Sequence, residues 1–213
     1  MITVWGEGRG FRVVWLLEEM GLPYRLRDVD LLKGAESDPE FMAVNPGGFI
    51  PALQDEHGVV VESVAILQYL LGRHGPSPLA LEPTDAGYGA WLQFLHLGEA
   101  GLMGPAFFAW AGGGFGPPGA KEDWTGSMAL SLLNSRRRLV ARQLERAPYM
   151  AGEVFTAADI SVAYALIWVR RQGMAALTAD EEAYLERCAA REGYRRAMQA
   201  CPATRGWAEA AGR

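Results

Sequence analysis

The chain has 213 residues, with 20 Lys and Arg against 25 Asp and Glu, a net charge of −5 and a pI near 5.3. This acidic balance argues against a protein held to nucleic acid by charge. Half of the residues are hydrophobic and 21% are charged, ordinary values for a chain that buries one or two cores without staples.

Charges at Glu7, Arg9, Arg12, Glu18 and Glu19 break up the first twenty residues, which is unlike a signal peptide. No apolar stretch approaches the ~18 residues of a bilayer span. A cytoplasmic protein without a membrane partner is therefore expected. Cys188 and Cys201, with no CxxC pair and no histidine cluster, read as reduced, partly buried thiols.

The β-forming run Ile2–Trp5 leads into a glycine loop, 6–10 (GEGRG), and then into an apolar helix over Phe11–Met20. Gly21 and Pro23 end that helix, and the alternation over Tyr24–Val29 predicts a second strand. A short helix at Pro39–Val44 follows, then the turn Asn45-Pro46-Gly47-Gly48, a strand over Ile50–Gln54, another at Val59–Val61 and a helix from Val64 to about Arg73. The glycines and prolines of Gly72–Thr84 mark a linker. Beyond it, helical periodicity covers about Asp85–Trp110, Trp124–Arg146, Ala157–Gln172, Ala179–Ala189 and Glu192–Ala200. The insert Ala111–Gly119 (AGGGFGPPG) lacks the lysine and hydroxyl of a phosphate loop and reads as a mobile connection. The expected architecture is α/β followed by all-α: a βαβ-ββα domain over 1–76, a linker over 77–83 and a helical domain over 84–213.

Three local constellations bear on chemistry. Gly6-x-Gly8 before a helix, with Asp28 and Asp30 downstream, suggests a dinucleotide fingerprint, but Phe11 stands where close packing wants Gly or Ala, and too few residues precede the linker for a doubly wound sheet. Pro51 opens a strand without an N–H to give to the ladder; a cis Ile50–Pro51 bond would turn the Ile50 backbone outward to pair with an extended peptide, while a trans edge proline is the plain alternative. Glu62-Ser63 opens a helix, with Ser63 as N-cap whose neighbouring amides favour a carboxylate and Glu62 able to accept an ammonium; a purely structural cap is the competing reading.

Taken together, Phe11–Tyr24 (FRVVWLLEEMGLPY), Asn45-Pro46 through Ile50-Pro51-Ala52-Leu53, Glu62–Leu70 (ESVAILQYL) and Phe155–Ile160 (FTAADI) resemble the cytosolic glutathione S-transferase family, of the bacterial type, over nearly the whole chain. In the last of these, Thr156 and Asp159 also read as a capping box, a structural role. The resemblance implies a thioredoxin-like first domain with a cis-proline at Pro51 and a helical second domain. It implies glutathione as co-substrate, its cysteinyl backbone on Ile50 and its γ-glutamyl end on Glu62 and Ser63. A hydrophobic electrophile would sit in a cleft between domains, walled by side chains such as Met103, Phe107, Phe108 and Trp110. It further implies a homodimer and a detoxifying transfer reaction that uses no metal.

Two departures stand out. The loop after the first strand holds no Tyr, Ser or Cys to meet the glutathione sulfur, which leaves the Arg9 guanidinium or the amides of Gly8 to Phe11 to stabilise the thiolate; Arg9 is the assigned catalytic residue, with a solvent-facing charge or a salt bridge to Glu7 as the other reading. Phe49 occupies a tripeptide-contact position where the family often has Lys or Gln. A loop without cysteine argues against glutaredoxin-like exchange, which needs an enzyme sulfur. A different class of function, a non-catalytic glutathione-binding or protein-interaction module of the same fold, is consistent with the missing hydroxyl.

Overall fold

A computed structural model describes residues 1–114 and 124–204; the 115–119 part of the glycine-rich insert lies outside them. The chain divides into two compact units, residues 1–77 with 189–213, and residues 78–188.

In the first unit, strands β1 (Ile2–Trp5), β2 (Tyr24–Arg27), β3 (Ala52–Asp55) and β4 (Gly58–Val61) form one sheet in the order β2-β1-β3-β4. β1 and β2 are parallel, and β3 runs antiparallel to both β1 and β4. Helices α1 (Phe11–Met20), α2 (Pro39–Val44) and α3 (Ser63–His74) connect them. The pleat sends alternate side chains to opposite faces: Trp5 and Ala52 pack with Phe41 of α2 and with Val29, whereas Val4 and Leu53, both wholly buried, point the other way. The expected β-α-β and β-β-α halves are present. Strand β2 stops at Arg27, two residues short of the expected Val29, and β3 begins at Ala52 rather than Ile50, because Pro51 has no N–H for the ladder. Helix α3 continues through Gly72 to His74.

Residues Phe11 to Leu17 of α1 are buried without exception, because α3 packs on the helix from one side and α9 (Glu192–Ala200) from another. Tyr194 of α9 meets Phe11 and Trp15 edge-on, with ring centroids 5.7 and 4.9 Å apart. Carboxylates at a helix C-terminus face an unfavourable dipole, and here both are offset by arginines of the last helix. Arg191 forks onto Glu19 at 2.8 and 2.7 Å, and Arg196 reaches the Glu18 carboxylate at 2.7 Å and its carbonyl at 2.6 Å. Of the basic pair Arg195-Arg196, Arg196 is thus ion-paired within the chain.

The second unit is helical: α4 (Tyr88–His96), a π-helical segment Leu97–Met103, α5 (Gly104–Gly114), α6 (Trp124–Leu144), α7 (Ala157–Arg171) and α8 (Ala179–Ala189). The single helix expected over Asp85–Trp110 is thus interrupted by a wide turn. At Gly98 a Cβ would lie 2.3 Å from Ser161 Oγ, so only glycine admits the approach of this segment to α7; the Ser161 hydroxyl donates to the Leu95 carbonyl at 2.7 Å. Helix α7 is the core of the unit. Thr156 and Asp159 form the expected capping box at its start, and the wholly buried Asp159 carboxylate accepts from the amides of Met150 and Thr156, both at 2.8 Å, and from the Tyr184 hydroxyl at 3.1 Å. Cys188 and Cys201 are both buried and form no disulfide among the described residues.

Candidate functional site

Strand register brings three loops to one end of the sheet. Trp5 pairs with Ala52, and Ala52 with Val61, so the glycine loop after Trp5, the Phe49–Pro51 segment before Ala52 and the Glu62-Ser63 step after Val61 are neighbours. Gly6, at φ +83°, lies so close to Ile50 that a Cβ would stand 2.2 Å from the Ile50 Cγ2. No other residue fits that position.

The Ile50–Pro51 bond is cis. Ile50 is half-buried, Pro51 buried and Phe49 40% exposed. Among the described residues neither the N–H nor the C=O of Ile50 is hydrogen-bonded, which leaves a main-chain edge able to pair with an extended ligand. Asn45, nearly fully buried, braces the segment. Its Nδ2 donates to the Phe49 carbonyl at 2.6 Å, and its Oδ1 accepts from the Gly47 amide at 3.0 Å.

Glu62 is exposed and is the one non-glycine residue with positive φ among the described residues, at φ 71°, ψ 111°. Such conformations cost on the order of 1–3 kcal/mol and concentrate at ligand clamps. Its carbonyl accepts the first helical bond of α3, from Ile66 at 2.9 Å, and no side chain caps the helix. The amides of the first turn of α3 therefore have no acceptor within the helix. Ser63, 3% exposed, departs from its expected role: it is the first residue of the helix rather than the cap, and its Oγ accepts from Arg12 Nη1 at 2.7 Å.

Arg9 is half-buried in a 3₁₀ turn, Gly8–Gly10, that precedes α1. The supposed partner Glu7 faces elsewhere. It is 5% exposed, and its carboxylate accepts from the amides of Ala203, at 3.1 Å, and Thr204. Of the four loop amides considered for a thiolate, Gly10 donates to the Glu7 carbonyl at 2.8 Å and Phe11 to the Gly8 carbonyl, so two are already committed within the turn. The mixed four-stranded sheet removes the dinucleotide reading, which needs a doubly wound parallel sheet. Met103 is buried within the second unit, whereas Phe107 and Phe108 are 40% and 66% exposed. Among the described residues no three His, Cys, Asp or Glu side chains are placed to hold a metal ion, and no helix is long and apolar enough to cross a membrane.

Sequence reasoning missed Arg12 and the bracing role of Asn45. The signals were present: a lone cation inside the apolar run Phe11–Leu17 must find a partner, and an Asn before Pro-Gly-Gly is a natural Asx turn.

The comparisons place this fold and sequence among known proteins. A family model described as glutathione S-transferase, N-terminal domain, matches residues 2–72. Glutathione S-transferase 3 of Zea mays is 31% identical over 202 residues, which span 90% of this chain and 89% of that protein. Disulfide-bond oxidoreductase YfcG of Escherichia coli (strain K12) is 29% identical over 170 residues, 71% of this chain and 72% of that one. A solved glutathione transferase from Methylococcus capsulatus str. Bath superposes with a TM-score of 0.77 at 28% identity, covering 94% of this chain and 98% of its own.

Proposed function

Since the chain belongs to the glutathione S-transferase family, whose members bind glutathione, we propose that it seats the tripeptide on the sheet end described above and presents its sulfur, as thiolate, to an electrophilic small molecule. The observation that carries this reading is the adjacency of an unpaired Ile50 edge to the uncapped start of α3. The edge suits the cysteinyl backbone, and the helix start with Ser63 suits the γ-glutamyl α-carboxylate. Glu62, exposed beside it, accepts the α-ammonium, and Phe49 lies against the peptide.

A thiol of pKa ~8.5 is only a few per cent ionised at neutral pH, and lowering it by about two units requires about 2.7 kcal/mol of differential stabilisation of the thiolate. Arg9 supplies that charge. Its guanidinium stands in the loop where the family usually has a hydroxyl or thiol, and it can both donate to and neutralise a sulfur anion. The thiolate then attacks the electrophilic carbon: a C–S bond forms, the leaving group departs or the electron pair moves into the acceptor, and no enzyme sulfur is consumed. The protein acts as a homodimer.

The test is calorimetry with reduced glutathione followed by turnover with an aryl halide. Saturable binding with turnover is expected, and the absence of binding at millimolar glutathione would refute the assignment. Because loop 6–10 has no hydroxyl or thiol, a second reading is a binding module that keeps the tripeptide site without activating it; binding without turnover across a broad electrophile panel would select that reading.

A further inference from the structure

Resting on the glutathione site proposed above, we propose that Arg12 is a positioning residue that fixes Ser63 as a hydrogen-bond donor and thereby selects a carboxylate at the start of α3. Arg12 lies in the first turn of α1, is wholly buried, and reaches across to α3, where Nη1 donates to Ser63 Oγ at 2.7 Å. A guanidinium has donors and no acceptor, so the direction of this bond is forced. A serine hydroxyl has one hydrogen and two lone pairs; with a lone pair engaged by Arg12, its single hydrogen remains for another acceptor. Ser63 stands at the uncapped end of α3, where the first-turn amides are donors as well. The Ser63 hydroxyl and the first-turn amides both present donors there, and a charged donor strengthens the hydroxyl behind which it sits.

The helix dipole acts in the same sense as the geometry, since its positive end lies at the start of α3. The arrangement favours an anion that accepts from Ser63 and from the α3 amides together, and it disfavours an amine or amide in the same place. For a γ-glutamyl ligand this discriminates between the two ends of its amino-acid group: the carboxylate goes to Ser63 and the ammonium toward Glu62.

The experiment measures dissociation constants by calorimetry for the wild-type chain and for Arg12→Met, Arg12→Lys, Ser63→Ala and the Arg12→Met/Ser63→Ala pair. Two ligands are used: reduced glutathione, and its analogue in which the γ-glutamyl α-carboxylate is a carboxamide. Arg12→Met is expected to weaken glutathione about 10- to 100-fold, in the range of a lost charge-assisted hydrogen bond, to change carboxamide binding less than about threefold, and to add nothing in the Ser63→Ala background. Arg12→Lys, which keeps a cation, recovers part of the loss. Equal losses for both ligands, or glutathione binding by folded Arg12→Met within about threefold of wild type, would overturn the inference while leaving the glutathione site intact. A wild-type chain that does not bind glutathione overturns the site itself and the inference with it. If both Arg12 variants fail to fold, the carboxylate-to-carboxamide affinity ratio decides: it should fall about tenfold on Ser63→Ala, and an unchanged ratio defeats the proposal.

Discussion

The brace under the ligand edge can be tested apart from the chemistry. Asn45→Ala removes a donor 2.6 Å from the Phe49 carbonyl and an acceptor 3.0 Å from the Gly47 amide. Both backbone groups belong to residues that water reaches, so each lost bond costs toward the low end of the range for an orphaned group, about 1 kcal/mol, and about 2 kcal/mol together. For a chain of this length that corresponds to a drop in Tm of about 4–8 °C. The same two bonds hold Phe49 and Ile50 in register with the glycine loop. Glutathione affinity is therefore expected to fall about tenfold, measured by calorimetry at a temperature where the variant is fully folded. Asn45→Asp keeps the acceptor but sets a carboxylate against the Phe49 carbonyl, and it should be worse than alanine on both counts. A variant whose Tm falls as stated but whose glutathione affinity stays within about twofold of wild type would show that this turn supports the fold without positioning the edge.

Other expectations follow from the same geometry. Arg9→Ala should lower turnover at least tenfold, about 1.4 kcal/mol of transition-state stabilisation, with Tm nearly unchanged; unaltered turnover removes Arg9 from the mechanism. Glu7→Gln replaces an acceptor of two amides by a group that accepts only through its single amide oxygen, so hydrogen exchange at Ala203 and Thr204 should speed by about 10- to 100-fold, and unchanged exchange would separate the loop from the C-terminal turn. Burial pushes the Asp159 carboxyl up to about 6 from its usual 3.8 despite four hydrogen bonds to it. A folded-state value raised in this way stabilises most below about pH 4 and is lost as pH rises through 6. Wild-type stability relative to Asp159→Asn should therefore improve from pH 6.5 to 4 by about 2 kcal/mol; a flat difference in urea unfolding would contradict burial as the dominant cause. Burial, reinforced by Glu7 and Glu18, raises the Cys201 thiol above its ordinary range, so it should react with thiol reagents no faster than the chain unfolds.

What could be read from the sequence was local. Strand β1, the glycine loop and α1 follow from a β-branched run, a glycine cluster and a helix closed by Gly21, which adopts the left-handed φ of 65° that a C-cap wants. The capping box at Thr156 and Asp159 is likewise written within four residues. The break of α4 into a π segment is not, because that segment packs on α7, where Ser161, more than sixty positions along the chain, leaves room only for glycine at Gly98. The start of β3 was misread for the opposite reason. Ile50 and Pro51 have the composition of a strand, but the register places them past the end of the ladder, and this is what leaves the Ile50 backbone open to a ligand.

The site shows the same division between what neighbours dictate and what distant contacts decide. Glu62 and Ser63 are legible as a helix start, but the engagement of the serine hydroxyl by Arg12, 51 residues earlier, is not. Glu7 reads as a loop charge beside Arg9, and a fixed negative charge there would raise the pKa of a neighbouring sulfur. Its engagement by the amides of Ala203 and Thr204, nearly two hundred residues away, turns that charge into the cap of a backbone turn. With Glu7 so occupied and the Gly10 and Phe11 amides spent within the 3₁₀ turn, the choice among loop groups for holding a thiolate narrows toward Arg9. On the proposed reading the two arginines three positions apart divide the work: Arg12, buried against Ser63, acts at the end of α3 that takes the carboxylate, and Arg9, half-buried, acts at the sulfur.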